Sequence, residues 1–231
     1  KLAVKHRIKK GLMQELLSGH RRVTGYGCAL RIQDDAGSIP KGWNTVKLGE
    51  VFSFLKSHAF SRDCLTSEHG TPPFIYNIHY GDLHAGYTGP LLDFSKERGV
   101  PILKTEPVSS DKLEFLHNGD LVMADVSEDF EGVGTCIELI NLEDRKVTGG
   151  LHTFVMRDTS GQTAEGFRGY LFKEHSLAKE LRRISTGSSV HGISKTNLAK
   201  VDLTLPPVEE QQAIVKVLNA ADRELDALER K

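Results

Sequence analysis

LPPVEEQQAIVKVLNAADRELDALERK, residues 205–231, closes the chain and predicts a long helix. Pro206 and Pro207 can precede or open a helix, and the acidic pair that follows them suits the positive end of the helix dipole. After this start, apolar residues recur at alternating steps of four and three, the spacing by which one helix buries a seam against another. The predicted seam residues are Ile214, Leu218, Ala221, Leu225 and Leu228.

A second helical signal opens the chain, in KLAVKHRIKKGLMQELLSGHRRV, residues 1–23. An apolar stripe with helical spacing runs along it, and Ser18-Gly19 supplies a stop signal followed by basic residues. Joined end to end, the closing and opening segments resemble the two halves of one helix. We expect them to form an antiparallel pair that buries both stripes. The opening stripe consists of Val4 and the predicted interface residues Ile8, Leu12 and Leu16.

Composition places the chain among ordinary globular proteins. Its 231 residues are 39% hydrophobic and 26% charged, with a formal net charge of -1, and a chain of this length can bury a substantial core. Cys28, Cys64 and Cys136 are far apart and form no C-x-x-C pair, which argues against a disulfide framework and a cysteine zinc site. No apolar run approaches the roughly 20 residues of a membrane span. We therefore expect a cytoplasmic protein with no membrane partner.

The charge is distributed unevenly, because the first 23 residues hold seven basic residues and one acidic residue. Such asymmetry indicates a local surface for nucleic acid or another acidic partner. The alternative is a solvated helix face that binds nothing. The basic residues are Lys1, Lys5, Arg7, Lys9, Lys10, Arg21 and Arg22, and the acidic residue is Glu15.

Several stretches resemble one known family, the DNA specificity subunits of type I restriction–modification systems. LPPVEEQ at 205–211 is similar to the family's LPP-x-x-EQ helix start, and KKGLMQELLSGHRRV at 9–23 is similar to the end of that helix. SIPKGWNTVKLGEVF at 38–52 is similar to the start of a target-recognition domain. Looser similarity to internal parts of that domain is found in FIYNIHYGDL (74–83), HNGDLVMADVSEDFEGVGTCIEL (117–139) and RRISTGSSVHGISKTNLAKVDLTLPP (182–207).

The resemblance implies a domain organisation and a fold. It divides the chain into the end of a coiled-coil helix at 1–23, a target-recognition domain at 38–205 and the start of another coiled-coil helix at 206–231, like one segment cut from a longer repeat. We expect an α/β (α+β) fold, with a globular, mostly β domain, a few short helices and two long antiparallel coiled-coil arms. Apolar runs predict strands in 46–55, 101–105, 121–126 and 151–156, and Leu177, Leu181 and Ile184 have helical spacing.

The resemblance also implies a function. A specificity subunit catalyses no reaction and needs no cofactor; it binds double-stranded DNA and recognises one half of a two-part target. Its helices dock methyltransferase subunits and, through them, the restriction subunit, while exposed seams favour self-association. The family places the protein in the bacterial or archaeal cytoplasm. A second hypothesis stays open, in which the chain is a non-catalytic scaffold whose helices bind a protein partner without independent DNA recognition.

Two stretches rich in glycine are candidates for DNA contact. NIHYGDLHAGY, 77–87, mixes amide, imidazole and aromatic groups that suit base edges, although a hairpin with satisfied polar ends fits it equally. STGSSVHGISK, 185–195, combines hydroxyls and glycines that suit phosphates with Ser194, a candidate N-cap, and a structural turn is the equal alternative. Lys104 is added from the stretch 94–112, where a solvated surface is the default. The predicted DNA-contacting residues are Asn77, His79, Tyr80, His84, Lys104, Ser188, Ser189, His191 and Lys195.

Two enzyme classes are weak alternatives. TPPF, 71–74, is similar to the Asp/Asn/Ser-Pro-Pro-aromatic motif of amino-methyltransferases, but Thr71 departs from it and no strand with a glycine-rich cofactor turn lies nearby. The ten histidines form no H-E-x-x-H or H-x-x-x-H pair on a plausible helix, whereas a metal site needs three or four convergent ligands. We therefore predict no catalytic residue, no metal ligand and no cofactor.

Overall fold

A central sheet lies between a layer of helices and a second sheet. The computed structural model describes residues 2–27, 31–34, 37–68, 70, 72–87, 89–96, 99–104 and 112–229. In these ranges the larger sheet has five strands and the smaller one four. The prediction of a mixed α/β domain with many strands and a few helices is confirmed.

Most elements are short, and the two longest helices lie near the ends of the described chain. The helices are α1 (Leu2–Leu17), α2 (Leu48–Val51), α3 (Tyr80–Ala85), α4 (Arg168–Leu171), α5 (His175–Ile184), α6 (Lys195–Ala199) and α7 (Val208–Glu229). The strands are β1 (Arg31–Asp34), β2 (Gly37–Pro40), β3 (Asn44–Lys47), β4 (Phe52–Leu55), β5 (Leu65–Thr66), β6 (Ile75–Ile78), β7 (Leu91–Asp93), β8 (Ile102–Leu103), β9 (Leu121–Ala124), β10 (Val126–Ser127), β11 (Cys136–Ile140), β12 (Lys146–Gly149), β13 (Thr153–Asp158), β14 (His191–Gly192) and β15 (Asp202–Leu205).

The two sheets are both mixed. The central sheet has the order β4-β13-β9-β11-β7, in which β7 runs parallel to β11 and the other neighbours are antiparallel. The second sheet has the order β12-β6-β8-β5, with β6 parallel to β12. Short antiparallel ladders join β1 to β2, β10 to β14, and β3 to β15. The last ladder brings the start of the domain beside the segment that enters α7.

The central sheet is buried on both faces, so its strands are apolar at successive positions. In β9, Leu121 and Met123 belong to the core cluster beneath the helices. Val122 and Ala124 belong to the cluster shared with the second sheet. This division follows the alternation of side chains along a strand, and it explains why the sequence shows a continuous apolar run here.

Glu138 is a buried acid in the middle of this sheet, in β11. One carboxylate oxygen accepts from Gly166 N over 2.5 Å and the other from Gly169 N over 2.8 Å. Burial raises the pKa of Glu138 to about 7, although both backbone bonds oppose that rise. The side chain thus connects β11 to the turn that begins α4.

The strand predicted at 46–55 is interrupted by a helical turn, α2. Its first turn is capped, because Lys47 N donates to the Glu50 carboxylate over 3.1 Å. Gly49 packs so closely on α6 that an added Cβ would lie 2.9 Å from Ala199 Cβ. The other three predicted runs contain strands, as β8, β9 and β13, and the predicted helical spacing after residue 177 is confirmed as α5.

Candidate nucleic-acid interface

Three segments distant in sequence meet at a buried ion pair. Arg22 follows α1, Trp43 precedes β3 and Glu210 lies in the first turn of α7. Arg22 donates to both Glu210 oxygens, over 2.5 Å from Nε and 2.6 Å from Nη2. Trp43 Nε1 donates to the same carboxylate over 3.1 Å. Because both side chains of the ion pair are nearly excluded from solvent, this contact fixes how the helices leave the domain. We call Arg22, Trp43, Glu210 and Gln211 the junction.

Gln211 ties the start of α7 to the loop before α4. Its Oε1 accepts from Ala164 N over 2.7 Å. Its Nε2 donates to the carbonyl oxygens of Gln162 over 2.8 Å and Pro206 over 2.9 Å. The side chain is fully buried, so these bonds satisfy polar groups that water does not reach. The Glu-Gln pair of the LPPVEEQ stretch therefore holds the helix start against the domain.

Helices α1 and α7 pack as an antiparallel pair. Lys5 pairs with Glu224 and Lys9 with Asp222, so the contact moves toward the start of α7 as the chain advances along α1. Gly19, with a φ of 68°, ends α1 as its sequence predicts. Of the predicted interface residues, Leu16, Ile214, Leu218 and Leu225 are buried, and Leu12 and Ala221 are partly buried.

Three residues of the two predicted stripes are exposed rather than buried between the helices, and Val4, at 48% exposed, is one of them. Ile8 is 63% exposed and Leu228 is 37% exposed. The contact with α7 uses Lys9 instead, and one residue corresponds to about 100° of rotation around a helix. The structure therefore corrects the placement of Ile8 and Leu228 within this pair, and leaves both as apolar surface.

The basic excess near the start of the chain is partly balanced by α7. Lys5, Lys9 and Arg22 each pair with an acidic residue of that helix. Arg21 lies 3.9 Å from Glu15. Charges paired in this way are less available to an acidic ligand, so the prediction that this segment forms a nucleic-acid surface is weakened.

The two stretches predicted to contact DNA lie side by side, with β10 between them. His84 Nε2 lies 3.1 Å from the carbonyl oxygen of Val126, and Val126 pairs with Gly192 of β14. The Tyr80 ring contacts the rings of His84, at a centroid distance of 6.2 Å, and His152, at 5.5 Å. We call the exposed and partly exposed side chains of this region the loop surface: Tyr80, His84, His152, Ser188, Ser189 and His191.

Two of the predicted DNA contacts are interior residues. Asn77 is fully buried, and its Nδ2 donates to Thr148 Oγ1 over 2.9 Å. His79 is also buried, where its Nδ1 accepts from Gly81 N over 3.1 Å and caps α3. Burial lowers the pKa of His79, and nearby Arg62 lowers it further. The structure corrects the prediction for both residues, because their polar atoms are turned to the protein rather than to a ligand.

The stretch 185–195 forms a closed loop whose tip is exposed. Thr186 and Gly192 exchange two backbone hydrogen bonds, of 2.9 and 2.8 Å, and Ser188 and Ser189 lie in the exposed turn between them. His191 is partly exposed and contacts the ring of Phe130 at 5.3 Å. The hydroxyls and the imidazole are thus presented from a short rigid hairpin.

The two predicted lysines lie in different places. Lys195 begins α6 directly after the loop, with its Nζ 5.1 Å from the centroid of the Phe54 ring. Ser194 caps the same helix, as predicted, by accepting from Asn197 N over 3.1 Å. Lys104 follows β8 in the second sheet, where its backbone N donates to Cys64 O. Lys195 therefore directly follows the hairpin that carries Ser188 and Ser189, whereas Lys104 lies after β8 in the second sheet.

A family model described as the type I restriction modification DNA specificity domain matches residues 40–231. The chain belongs to this family. The match includes the PKGW part of the SIPKGW stretch, from Pro40, and the whole of LPPVEEQ, and it confirms the resemblance inferred from the sequence. The specificity domain thus carries the loop surface at one place and the buried junction at another.

Solved structures of type I specificity subunits share the fold of this specificity domain. The HsdS subunit from Thermoanaerobacter tengcongensis is 18% identical, with a TM-score of 0.52 over 99% of this chain and 47% of its own. A chain solved in work on complex assembly and conformational transition of the type I R-M system is 18% identical, with a TM-score of 0.55 over 99% of this chain and 48% of its own. The S subunit from M. genitalium is 14% identical, with a TM-score of 0.50 over 81% of this chain and 41% of its own. The chain spans about half the length of the structures it matches.

The specificity domain also contains a loop-surface residue that sequence analysis did not select, His152. It lies in the turn after β12 and has a φ of 53°, in the left-handed region. Its Nδ1 lies 3.3 Å from Asp125 Oδ1. The Gly149-Gly150 pair signals a turn in the sequence. The contacts of His152 with Tyr80 and Asp125, however, depend on pairing between distant strands.

Within the described residues, the structure does not support the alternatives based on metal or methyltransferase chemistry. In the part of the chain that the structure describes, no group of three or more His, Cys, Asp or Glu side chains is placed to hold a metal ion. Thr71 of the TPPF stretch and Cys28 lie outside the described residues. Among the described helices, none is long and apolar enough to cross a membrane.

Proposed function

We propose that this specificity domain recognises one half of a two-part double-stranded DNA target through the loop surface. The observation that carries the proposal is the convergence of two separately predicted stretches on β10. His84, His152 and His191 supply imidazole groups, and Tyr80 supplies a phenol, for hydrogen bonds to base edges. One well-made bidentate base contact contributes about 1–3 kcal/mol of discrimination, so a few such contacts suffice to define a half-site.

Phosphate contacts supply the rest of the affinity in this proposal. Ser188 and Ser189 are exposed at the tip of the hairpin, where hydroxyl and backbone N–H groups can bind phosphate oxygens. Lys195 adds a cation at the start of α6, directly after this hairpin, where its Nζ lies near the ring of Phe54. Such contacts orient the domain on the duplex without discriminating between bases. Lys104 has no part in this surface.

The helix pair has a separate role in the proposal. Residues 1–23 and 206–231 belong to coiled-coil arms that flank a recognition domain at 38–205, and the arms dock the methyltransferase subunits and, through them, the restriction subunit. The exposed side chain of Ile8 supports this, because it leaves apolar surface outside the α1–α7 contact. The same surface allows self-association. Catalysis and its cofactor belong to the methyltransferase subunits, so this chain acts by binding alone, on DNA in the cytoplasm.

A domain exchange tests the proposal. The specificity subunit that contains this chain is expressed in cells with its methyltransferase partner, with residues 38–205 either native or replaced by the equivalent region of a subunit with a different target. Methylated adenines are then mapped by long-read sequencing. We expect one half of the methylated motif to change, while the other half and the spacing stay constant. An unchanged motif from an intact, active complex would rule out DNA recognition by this domain.

One observation favours the scaffold alternative, an acidic loop that borders the loop surface. Phe130 is 47% exposed in this loop, between Asp129 and Glu131. The Glu131 side chain is 82% exposed. The acidic side chains repel phosphate, whereas an exposed aromatic ring between them suits a protein partner. If the exchange leaves the motif unchanged, this loop and the helix pair become the parts of the molecule to examine for protein binding.

A further inference from the structure

The fold holds the side chains of His152 and Asp125 against each other from both sides. Asp125 N donates to the carbonyl oxygen of His152 over 3.2 Å, and His152 Nδ1 lies 3.3 Å from Asp125 Oδ1. Asp125 is fixed in turn, because its carbonyl oxygen accepts from Ile193 N over 2.9 Å. The backbone therefore positions one carboxylate oxygen opposite one nitrogen of the imidazole.

This carboxylate oxygen needs a donor. Asp125 Oδ1 is buried and makes no hydrogen bond of good geometry within the described residues, and an unsatisfied buried acceptor costs about 1–3 kcal/mol. A proton on His152 Nδ1 removes that cost after a small rotation of the ring. The partner of one ring nitrogen sets the tautomer of a histidine, so a carboxylate oxygen opposite Nδ1 favours the tautomer with its proton on Nδ1 and a lone pair on Nε2.

The ring is also oriented and accessible. His152 stands edge-on to Tyr80, with ring planes at 87°, and this packing permits the small rotation toward Asp125 but opposes a large one about the side-chain bonds. The side chain is 47% exposed, and Nε2 is at the tip of the ring, away from the backbone. The loop surface thus presents a hydrogen-bond acceptor whose direction and protonation are set by Tyr80 and Asp125.

We propose that His152 Nε2 accepts a hydrogen bond from the exocyclic amino group of a cytosine or an adenine in the major groove, and so determines one position of the half-site. Those two bases present an amine donor there, whereas guanine and thymine present only acceptors at the equivalent edge, which face the Nε2 lone pair unfavourably. Asp125 is the positioning residue, since it acts through the ring. The inference rests on the proposed function.

Substitution of His152 tests the contact. His152→Asn retains a residue type that tolerates left-handed backbone, and His152→Ala removes the ring. Each variant is expressed in the specificity subunit with its methyltransferase partner, and methylated adenines are mapped. We expect one position of the half-site to lose its preference for cytosine or adenine by roughly tenfold or more, with the other positions unchanged. His175→Asn is the matched control, an exposed histidine at the start of α5 whose backbone bonds to Gln14 of α1.

Substitution of Asp125 separates base recognition from a structural role. In Asp125→Asn the amide can accept from Nδ1 through its oxygen or donate to Nδ1 through its nitrogen, so the ring proton is no longer fixed on Nδ1 and Nε2 can act as acceptor or donor. The preference for cytosine or adenine at the same position should then weaken, with guanine and thymine gaining there, which removal of a merely structural side chain would not produce.

The outcomes distinguish this inference from the proposed function. If the domain exchange changes the motif but His152→Asn leaves every position as it was, the His152 contact is refuted and DNA recognition by the domain stands. If the exchange itself changes nothing, both fail. A uniform loss of methylation at all positions, with an unchanged melting curve, also refutes the contact, because it indicates a phosphate contact rather than base recognition.

Discussion

The junction and the loop surface both assemble polar side chains from distant segments, but they differ in solvent access. At the junction, Arg22 and Glu210 are buried and hydrogen-bonded to each other. At the loop surface, His84, His152 and His191 remain exposed or partly exposed. Removal of one partner from a buried ion pair is costly, whereas exposed substitutions change stability little. Substitutions at the junction should therefore alter folding, and those at the loop surface should alter DNA recognition.

The largest effect is expected from Glu210→Gln. The substitution leaves the Arg22 guanidinium buried without its carboxylate, which should lower the free energy of unfolding by about 3–5 kcal/mol. Urea denaturation followed by circular dichroism measures the change. Glu209→Gln, at an exposed position in the same turn, is the control and should stay within about 0.5 kcal/mol of the wild type. Equal effects of the two substitutions would show that the ion pair does not stabilise the junction.

A smaller loss is expected from Gln211→Leu. The leucine nearly preserves side-chain volume but leaves Ala164 N and the Pro206 carbonyl without the partner they have now. Buried polar groups left unsatisfied should lower the free energy of unfolding by about 1–3 kcal/mol. The same denaturation experiment on Gln212→Leu, at an exposed position, provides the comparison. A cost no greater than that of Gln212→Leu would contradict the role given to Gln211.

The pH dependence of stability tests the effect of burial on Glu138, which lies outside the junction. Its pKa is raised by burial to about 7 from an ordinary 4.5, so the folded protein binds this proton more tightly than the unfolded chain. The resulting stabilisation is complete below about pH 4.5 and is lost as the pH rises through about 7. The variant has no titrating group at position 138. The free energy of unfolding of the wild type minus that of Glu138→Gln should therefore be larger at pH 5 than at pH 8.

The control for this pH test is Glu143→Gln, whose side chain is 70% exposed. Its stability difference from the wild type should be the same at both pH values, because the other titrating groups cancel in the comparison. If the free energy of unfolding of the wild type minus that of Glu138→Gln does not fall between pH 5 and pH 8, the raised pKa of Glu138 is contradicted.

Sequence predicted the segments of the junction better than the contacts of the loop surface. The LPPVEEQ and SIPKGW stretches are local patterns, and helix start signals such as Pro207 and Glu209 act within one turn. Asn77 was selected because its amide suits a base edge, yet it is buried, since β6 lies between β12 and β8 in the second sheet. Residue type shows which groups are available, while burial depends on strand pairing that a single sequence does not display.

The same limit applies to the arrangement of the helices and loops. The period of the apolar residues predicted helices α1 and α7, but the rotation of α1 follows the burial of Leu16 and Leu17 in the core, which leaves Ile8 exposed. The convergence of the two loop stretches depends on a ladder of only two residue pairs, Val126 with Gly192 and Ser127 with His191. A ladder this short leaves no periodic signal. The position of His152 beside Tyr80 depends instead on the parallel pairing of β6 with β12, after which Tyr80 N donates to Leu151 O, and a single sequence does not display that pairing either.

The smallest effect on stability is expected from Lys195→Gln at the edge of the loop surface. The lysine is exposed, so the free energy of unfolding should change by no more than about 0.5 kcal/mol. As a phosphate contact, however, it should contribute to salt-dependent affinity, and its removal should reduce the slope of log K against log salt by about 0.9. Titration of target and non-target duplexes with the complete specificity–methyltransferase complex measures that slope, and both duplexes should lose affinity equally. Lys200→Gln, at the other end of α6, should leave the slope unchanged. A loss confined to the target duplex would instead make Lys195 a base contact, and the division between phosphate and base contacts proposed for the loop surface would have to be redrawn.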